Sequence, residues 1–208
     1  MSANLAELTA WMEKHEPDYL NLVTAATEDE FDGALIPLVA QAVEYLEANS
    51  KNFQTLGETG LTAAFVGRLS GFGLRVTQET NANGHVDMTI AGYLCSPEQK
   101  RLGEAKLYRG YAYHVKGLGQ LLGYMSGRAS GYLLNYVRKR NIGNLVKMLR
   151  EKMDGKLPFD QAGNCTDHTL KWSFCSVHDH SSGEQVKVLH VGVNLFPSGH
   201  TGTIDRTS

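Results

Sequence analysis

Gly84-His85-Val86-Asp87-Met88-Thr89-Ile90, followed after a gap by Leu102-Gly103-Glu104-Ala105-Lys106-Leu107, decides the reading of this chain. Val86, Met88 and Ile90 alternate with His85, Asp87 and Thr89, so His85–Ala91 reads as a strand with one apolar and one polar face. Glu104 and Lys106 stand two apart in a second strand over about 101–108 and therefore share a face. Burying a carboxylate and an ammonium there is costly unless they are paired, bind a metal or stay hydrated. Neighbouring strands lie about 4.8 Å apart, so Asp87 and Glu104 can offer oxygens to one divalent cation. Mg²⁺ suits such hard oxygen ligands. Lys106, beside the ion, can orient an attacking water or help to deprotonate it. On these residues alone a solvated sheet face is an open alternative, because so short a pattern recurs by chance.

Working outward, Leu74–Glu79 reads as the hairpin partner, joined through the turn signal Asn81-Ala82-Asn83-Gly84. A helix over roughly 57–70 precedes it, with Leu61, Ala64, Phe65 and Leu69 on its apolar face. Val115, Leu118, Leu122 and Met125 mark a helix over about 113–127, and Tyr132–Val137 suits a buried strand. Ile142, Leu145, Val146, Leu149 and Met153 mark a further amphipathic helix. From residue 57 the order is helix, three strands, helix, strand, helix. That predicts an α/β fold, a small mixed central sheet flanked by helices. Upstream, Leu5, Leu8, Trp11 and Met12 follow helical spacing that stops before Pro17. Thr27-Glu28-Asp29-Glu30 reads as a capping box opening a long helix to about Asn49, kinked at Pro37. Downstream, Thr169–Val177 and Gln185–Phe196 read as a C-terminal hairpin. The expected organisation is one domain over 1–208: a helical extension (1–52), a core (53–156) and a hairpin packed on that core (157–208).

The quoted segment resembles the PD-(D/E)XK nuclease superfamily, which includes restriction-endonuclease-like and RecB-like enzymes. Glu58 lies at the start of the helix before the hairpin, where many members carry an additional acidic residue. Gln120 and Tyr124 match the Gln-x-x-x-Tyr pattern of the RecB-like and Mrr-like branches. They lie four apart on one helix face, away from Leu118 and Leu122. Val86 replaces the superfamily's proline. The resemblance covers about residues 57–140. It implies a restriction-endonuclease-like α-β-β-β-α-β core and Mg²⁺- or Mn²⁺-dependent hydrolysis of phosphodiester bonds. Asp87, Glu104 and the backbone carbonyl of Ala105 would then hold the metal, with Lys106 positioning water and Glu58, Gln120 and Tyr124 completing the catalytic set. DNA is the expected substrate ahead of RNA, with defence against foreign DNA as one role. The alternative is a nuclease-fold module that binds nucleic acid or scaffolds a partner without useful turnover.

Charge is distributed unevenly. Residues 1–60 hold 11 acidic and 2 basic side chains, whereas residues 100–156 hold 13 basic and 3 acidic. The basic segment is therefore expected to meet a polyanion, unless the two segments simply neutralise each other. Lys100, Arg101, Arg109, Lys116, Arg128, Arg138, Lys139 and Arg140 are candidate phosphate contacts. Tyr108, Tyr111 and Tyr113 lie among them and can stack bases or pack around a helix start. Lys147, Arg150 and Lys152 read as a solvated helix face. The acidic N-terminal helices can dock a partner ATPase or helicase, or a second copy of the chain. A homodimer is expected, because cutting both strands of a duplex commonly uses two active sites.

No apolar run reaches 18 residues, so no membrane span is expected. The N-terminus lacks the basic start and apolar stretch of a signal peptide. Three scattered cysteines do not make a disulfide framework, and the expected setting is the reducing cytoplasm. Cys165-x2-His168 and Cys175-x2-His178 have the spacing of zinc-ligand pairs. An extended strand between them would hold the pairs about 20 Å apart, so a zinc-stabilised interaction domain is the weakest of the three readings.

Overall fold

In the computed structural model, which describes residues 5–81, 85–125, 130–139 and 141–197, the described chain is α/β with one seven-stranded mixed sheet and six helices. Three helices come first: α1 (Leu5–His15), α2 (Pro17–Thr24) and α3 (Glu28–Ala48). Pro17, expected only to end a helix, opens the next one, where its missing N–H is no loss. The capping box forms as the sequence predicts. The Thr27 side chain accepts from the Glu30 N–H at 3.2 Å, and Glu30 Oε2 accepts from the Thr27 N–H at 3.1 Å.

There follow α4 (Glu58–Leu69), β1 (Leu74–Asn81), β2 (His85–Gly92), β3 (Gln99–Leu107), α5 (Tyr111–Tyr124), β4 (Ser130–Val137) and α6 (Ile142–Lys156). The chain then forms β5 (Thr166–Asp167), β6 (Ser173–Asp179) and β7 (Gln185–Asn194). Every residue of β4 is buried, as its mostly apolar run, broken by Asn135, requires of a strand covered on both faces. The sheet order is β1-β2-β3-β4-β7-β6-β5. β3, β4 and β7 run parallel at its centre, and antiparallel strands flank them.

The C-terminal segment corrects the expectation of a hairpin packed on a small sheet. β7 pairs along its length with β4, so the hairpin extends the central sheet. The cause is composition: Val186, Val188, Leu189, Val191 and Val193 are all buried, on alternate faces, which only an interior strand can satisfy. Thr169–Trp172 does not continue β6; Trp172 takes a left-handed φ of 58° and the chain turns there.

Helices cover both faces. Phe31, Leu35, Val39 and Leu46 of α3, with Leu61 and Phe65 of α4, pack on Ala105, Leu134, Tyr136 and Val191. On the other face Leu118, Leu121 and Leu122 of α5, with Leu149 and Met153 of α6, pack on Leu102, Leu133, Phe174 and Val188. Among the described residues no helix is long and apolar enough to cross a membrane.

Candidate active site

β2 and β3 pair from Gly92↔Gln99 as far as Met88↔Gly103, and beyond Gly103 the ladder stops. The backbone N–H groups of β3 past that point need other acceptors. Two carboxylates supply them. Asp87 Oδ2 accepts from the Ala105 N–H at 2.8 Å, and Glu58 Oε2 accepts from the Leu107 N–H at 2.6 Å. Glu58 is the first residue of α4, so that helix places it at the end of β3. The two acids thus bracket Lys106 from the opened side of the sheet.

Lys106 gathers the acids. Its Nζ lies 2.5 Å from Glu104 Oε1, 3.6 Å from Glu58 Oε1 and 3.8 Å from Asp87 Oδ2. Glu104 and Lys106 are only 1% and 6% exposed, whereas the Asp87 side chain is 31% exposed. The site is therefore a buried ion pair with an acidic mouth. α5 covers it through a residue the sequence reading passed over, Gly117. A Cβ there would stand 2.9 Å from Lys106 Cγ and 3.2 Å from Leu133 Cδ1. Any larger residue would force the helix or the lysine stem to shift.

Burial pushes the Glu104 carboxyl up to about 7, against the lowering hydrogen bond from Lys106 and with help from the charge of Asp87. Burial alone would lower Lys106, but the hydrogen bond and charge of Glu104, then Asp87 and Glu58, hold its ammonium above the ordinary lysine value. Lys106 is thus a cation at neutral pH. Glu104 Oε2 is buried with no hydrogen-bond partner, and Asp87 Oδ1 has no protein partner among the described residues. An orphaned buried carboxylate oxygen is expensive. Three carboxylates thus stand around a single ammonium, and carboxylate oxygens in excess are the ligand type that a hard divalent cation takes. The Ala105 carbonyl points to the same side of β3 as its N–H, toward Asp87. Among the described residues no three His, Cys, Asp or Glu side chains stand together as a ready-made metal cage; Lys106 Nζ sits between these three acids.

Gln120 and Tyr124 are half-buried on α5, and neither hydrogen-bonds to the cluster among the described residues. They continue the stripe of Tyr113 and Gly117 at helical spacing, one and two turns beyond the residue that touches Lys106. Tyr113, read from sequence only as a lining or packing residue, directs its hydroxyl to Glu58 Oε2 at 3.5 Å. The Lys106 ladder partner on β4 is Asn135, whose Oδ1 lies 3.0 Å from His114 Nδ1 and ties α5 to the sheet beside the site.

Two of the expected phosphate contacts are corrected. Arg101 is 2% exposed: its Nε donates to Asp32 Oδ1 at 2.7 Å, and its side chain lies over the Phe31 ring on the opposite face of the sheet. Arg138 is spent on the carbonyls of Phe53 (3.0 Å) and Leu56, locking the loop before α4. Arg128 and Arg140 lie outside the described residues. Arg109, Lys116 and Lys139 are exposed. Lys100 is half-buried and paired with Glu98 at 3.4 Å.

The zinc spacing argument also changes. Thr166 pairs with Cys175 across β5 and β6, so the two Cys/His segments fold against each other rather than standing apart. One side chain from each pair has another partner. Cys165 Sγ accepts from Gln161 at 3.5 Å, and His178 Nε2 meets Ser176 Oγ at 2.7 Å.

Comparison of the chain with protein-family models, with curated proteins and with solved structures finds no match in any of the three.

Proposed function

We propose that this protein is a metal-dependent nuclease that hydrolyses phosphodiester bonds, with DNA the first substrate to test. The order α4-β1-β2-β3-α5-β4 supports the finer fold reading, a restriction-endonuclease-like core. The observation that carries the proposal is the buried Glu104 carboxylate, which keeps one oxygen unpartnered although Lys106, Asp87 and Glu58 crowd around it. A buried carboxylate oxygen without a partner is costly, and a bound cation would satisfy it.

Asp87, Glu104 and the Ala105 carbonyl would hold Mg²⁺ or Mn²⁺, which supplies acidity to a bound water and neutralises charge on the phosphate. With Glu104, Asp87 and Glu58 around it, Lys106 is held as an ammonium. Its part is to orient the nucleophile and to meet negative charge as it grows on phosphorus. Glu58 keeps Lys106 in place from the mouth of the site, and Tyr113 keeps Glu58 in place. Gln120 lies one turn of helix from Gly117, where it can reach the strand being cut.

The test is incubation of supercoiled and linear duplex DNA, single-stranded DNA and RNA with Mg²⁺, Mn²⁺ or chelator, using wild type and Asp87→Ala. Cleavage that needs metal and falls by about 10²- to 10³-fold in the variant, with folding retained, is the expected result. Cleavage that survives the substitution would place the chemistry elsewhere. The second reading, a module without useful turnover, draws on the Lys106 ammonium standing between the carboxylates. Absence of cleavage under every metal, with nucleic acid still bound, selects it.

A further inference from the structure

Three tyrosines follow directly on the strand that carries Lys106, and cations from three separate elements converge on their rings. Arg109 lies over Tyr113 at 5.5 Å, and Lys139, from the loop after β4, lies over Tyr108 at 6.0 Å. Lys152 and Lys156 of α6 both lie over Tyr111, at 5.7 and 5.2 Å. All four cations are exposed, as is Lys116 one helical turn beyond Tyr113, and the tyrosines are half-buried. Among the described residues no salt bridge joins any of these five cations to a carboxylate. Their neighbours Lys147 and Arg150 on α6 are paired, with Glu151 and Asp167. The ridge is thus a set of cations resting on aromatic faces for want of an anion. It begins at the active site, because the Tyr113 hydroxyl meets Glu58.

A duplex would offer this ridge phosphates only, since its base faces are stacked inside. An unpaired strand offers both phosphates and π-faces. Lysine and arginine stems are long enough to swing from a ring to a phosphate, which frees the ring for a base. We infer that the Tyr108–Tyr111–Tyr113 ridge binds an unpaired polynucleotide strand, with phosphates on Arg109, Lys116, Lys139, Lys152 and Lys156 and bases on the tyrosines. The inference rests on the proposed nuclease reading only in taking that strand to be the one led to Lys106 and cut. Arg101 and Arg138 have no part in it.

The test uses fluorescence anisotropy on the full chain in EDTA, so binding is read without cleavage. Probes of about 20 nucleotides are oligothymidylate, oligouridylate and a hairpin duplex. Either single strand is expected to bind at least about 10-fold tighter than the duplex. Lys152→Gln/Lys156→Gln, a surface change, should lower the slope of log affinity against log salt by about 1.4, near 0.7 per phosphate contact. Tyr111→Leu keeps the apolar packing and removes the flat ring, and should weaken single-strand binding about 10-fold with the duplex unaffected. Duplex bound as tightly as single strands, or a salt slope unmoved by the lysine changes, would overturn the inference. If single strands bind this way but nothing is cut with Mg²⁺ or Mn²⁺, the nuclease reading fails and the ridge stands.

Discussion

β3 buries two cations on opposite faces of the sheet, Arg101 and Lys106, and they are held in different ways. Arg101 is saturated. Its guanidinium meets Asp32 at 2.7 Å, the carboxylate of Glu28 at 3.6 Å and the Lys100 carbonyl at 2.9 Å, while Ser130 donates to the other Asp32 oxygen at 2.8 Å. Both acids keep contact with solvent, so little charge is stranded. Around Lys106 it is an acid, Glu104, that is sealed from water, and one of its oxygens has no partner. The first arrangement closes a fold. The second holds unsatisfied acceptor capacity in place, as sites that bind ions or stabilise transition states do.

Substituting each cluster should separate stability from activity. Glu104→Gln removes a charge that burial disfavours, so the urea midpoint should hold or rise while metal-dependent cleavage falls about 10²- to 10³-fold. Arg101→Met leaves two acids without their cation and should cost roughly 1–3 kcal/mol, with turnover per folded molecule unchanged. If the two variants exchange these signatures, the assignment of the clusters is wrong.

A smaller effect comes from the buried histidines on the Lys106 face. Burial pushes His114 down from 6.5 to about 4, and His190 well below its ordinary value, with the charges of His114 and His178 adding to the effect. A histidine held neutral in the fold is protonated first in the unfolded chain. Stability from His114 is therefore full above pH 6.5 and is lost as pH falls from 6.5 toward 4, by up to about 3 kcal/mol. Urea midpoints across that window should fall with acid, and ring-proton NMR should show His114 titrating below the ordinary histidine range. A flat midpoint over the window would contradict the buried neutral state.

The smallest expected effect is at Gly117. Alanine there presses on the Lys106 stem but gains about 1 kcal/mol of helix propensity. Gly117→Ala should leave stability near wild type and, if the proposed nuclease reading holds, cut cleavage about 10-fold through a small misplacement of Lys106. Gly123→Ala, on the same helix with nothing within 4 Å of the added carbon, is the control.

Local pattern explains what was legible in advance. The strand around Asp87, the two-residue spacing of Glu104 and Lys106, the capping box at Thr27 and the mostly apolar run of β4 depend on neighbours within a few residues, and each formed where the sequence placed it, although Val86 packs with the α5 side and Met88 and Ile90 with the α3 side. Arg101 and Arg138 were misread for the opposite reason. Their partners, Asp32 and the carbonyls of Phe53 and Leu56, lie 69 to 85 residues away in sequence, and a basic residue carries no mark of whether it faces water or a distant acid. The charge asymmetry resolved both ways: the acidic N-terminal part neutralises Arg101, while the cations over the tyrosines have no carboxylate partner among the described residues.

By itself the amino-acid order determined which side chains share a face with Lys106, because side-chain direction along a strand has a period of two. Three things were decided only in three dimensions. β7 entered the sheet beside β4, Gly117 came to rest on the lysine, and the β2–β3 ladder opened so that Asp87 and Glu58 took over its hydrogen bonds. Each depends on which elements pack together, and the orphaned oxygen of Glu104 arises only once that packing has excluded water.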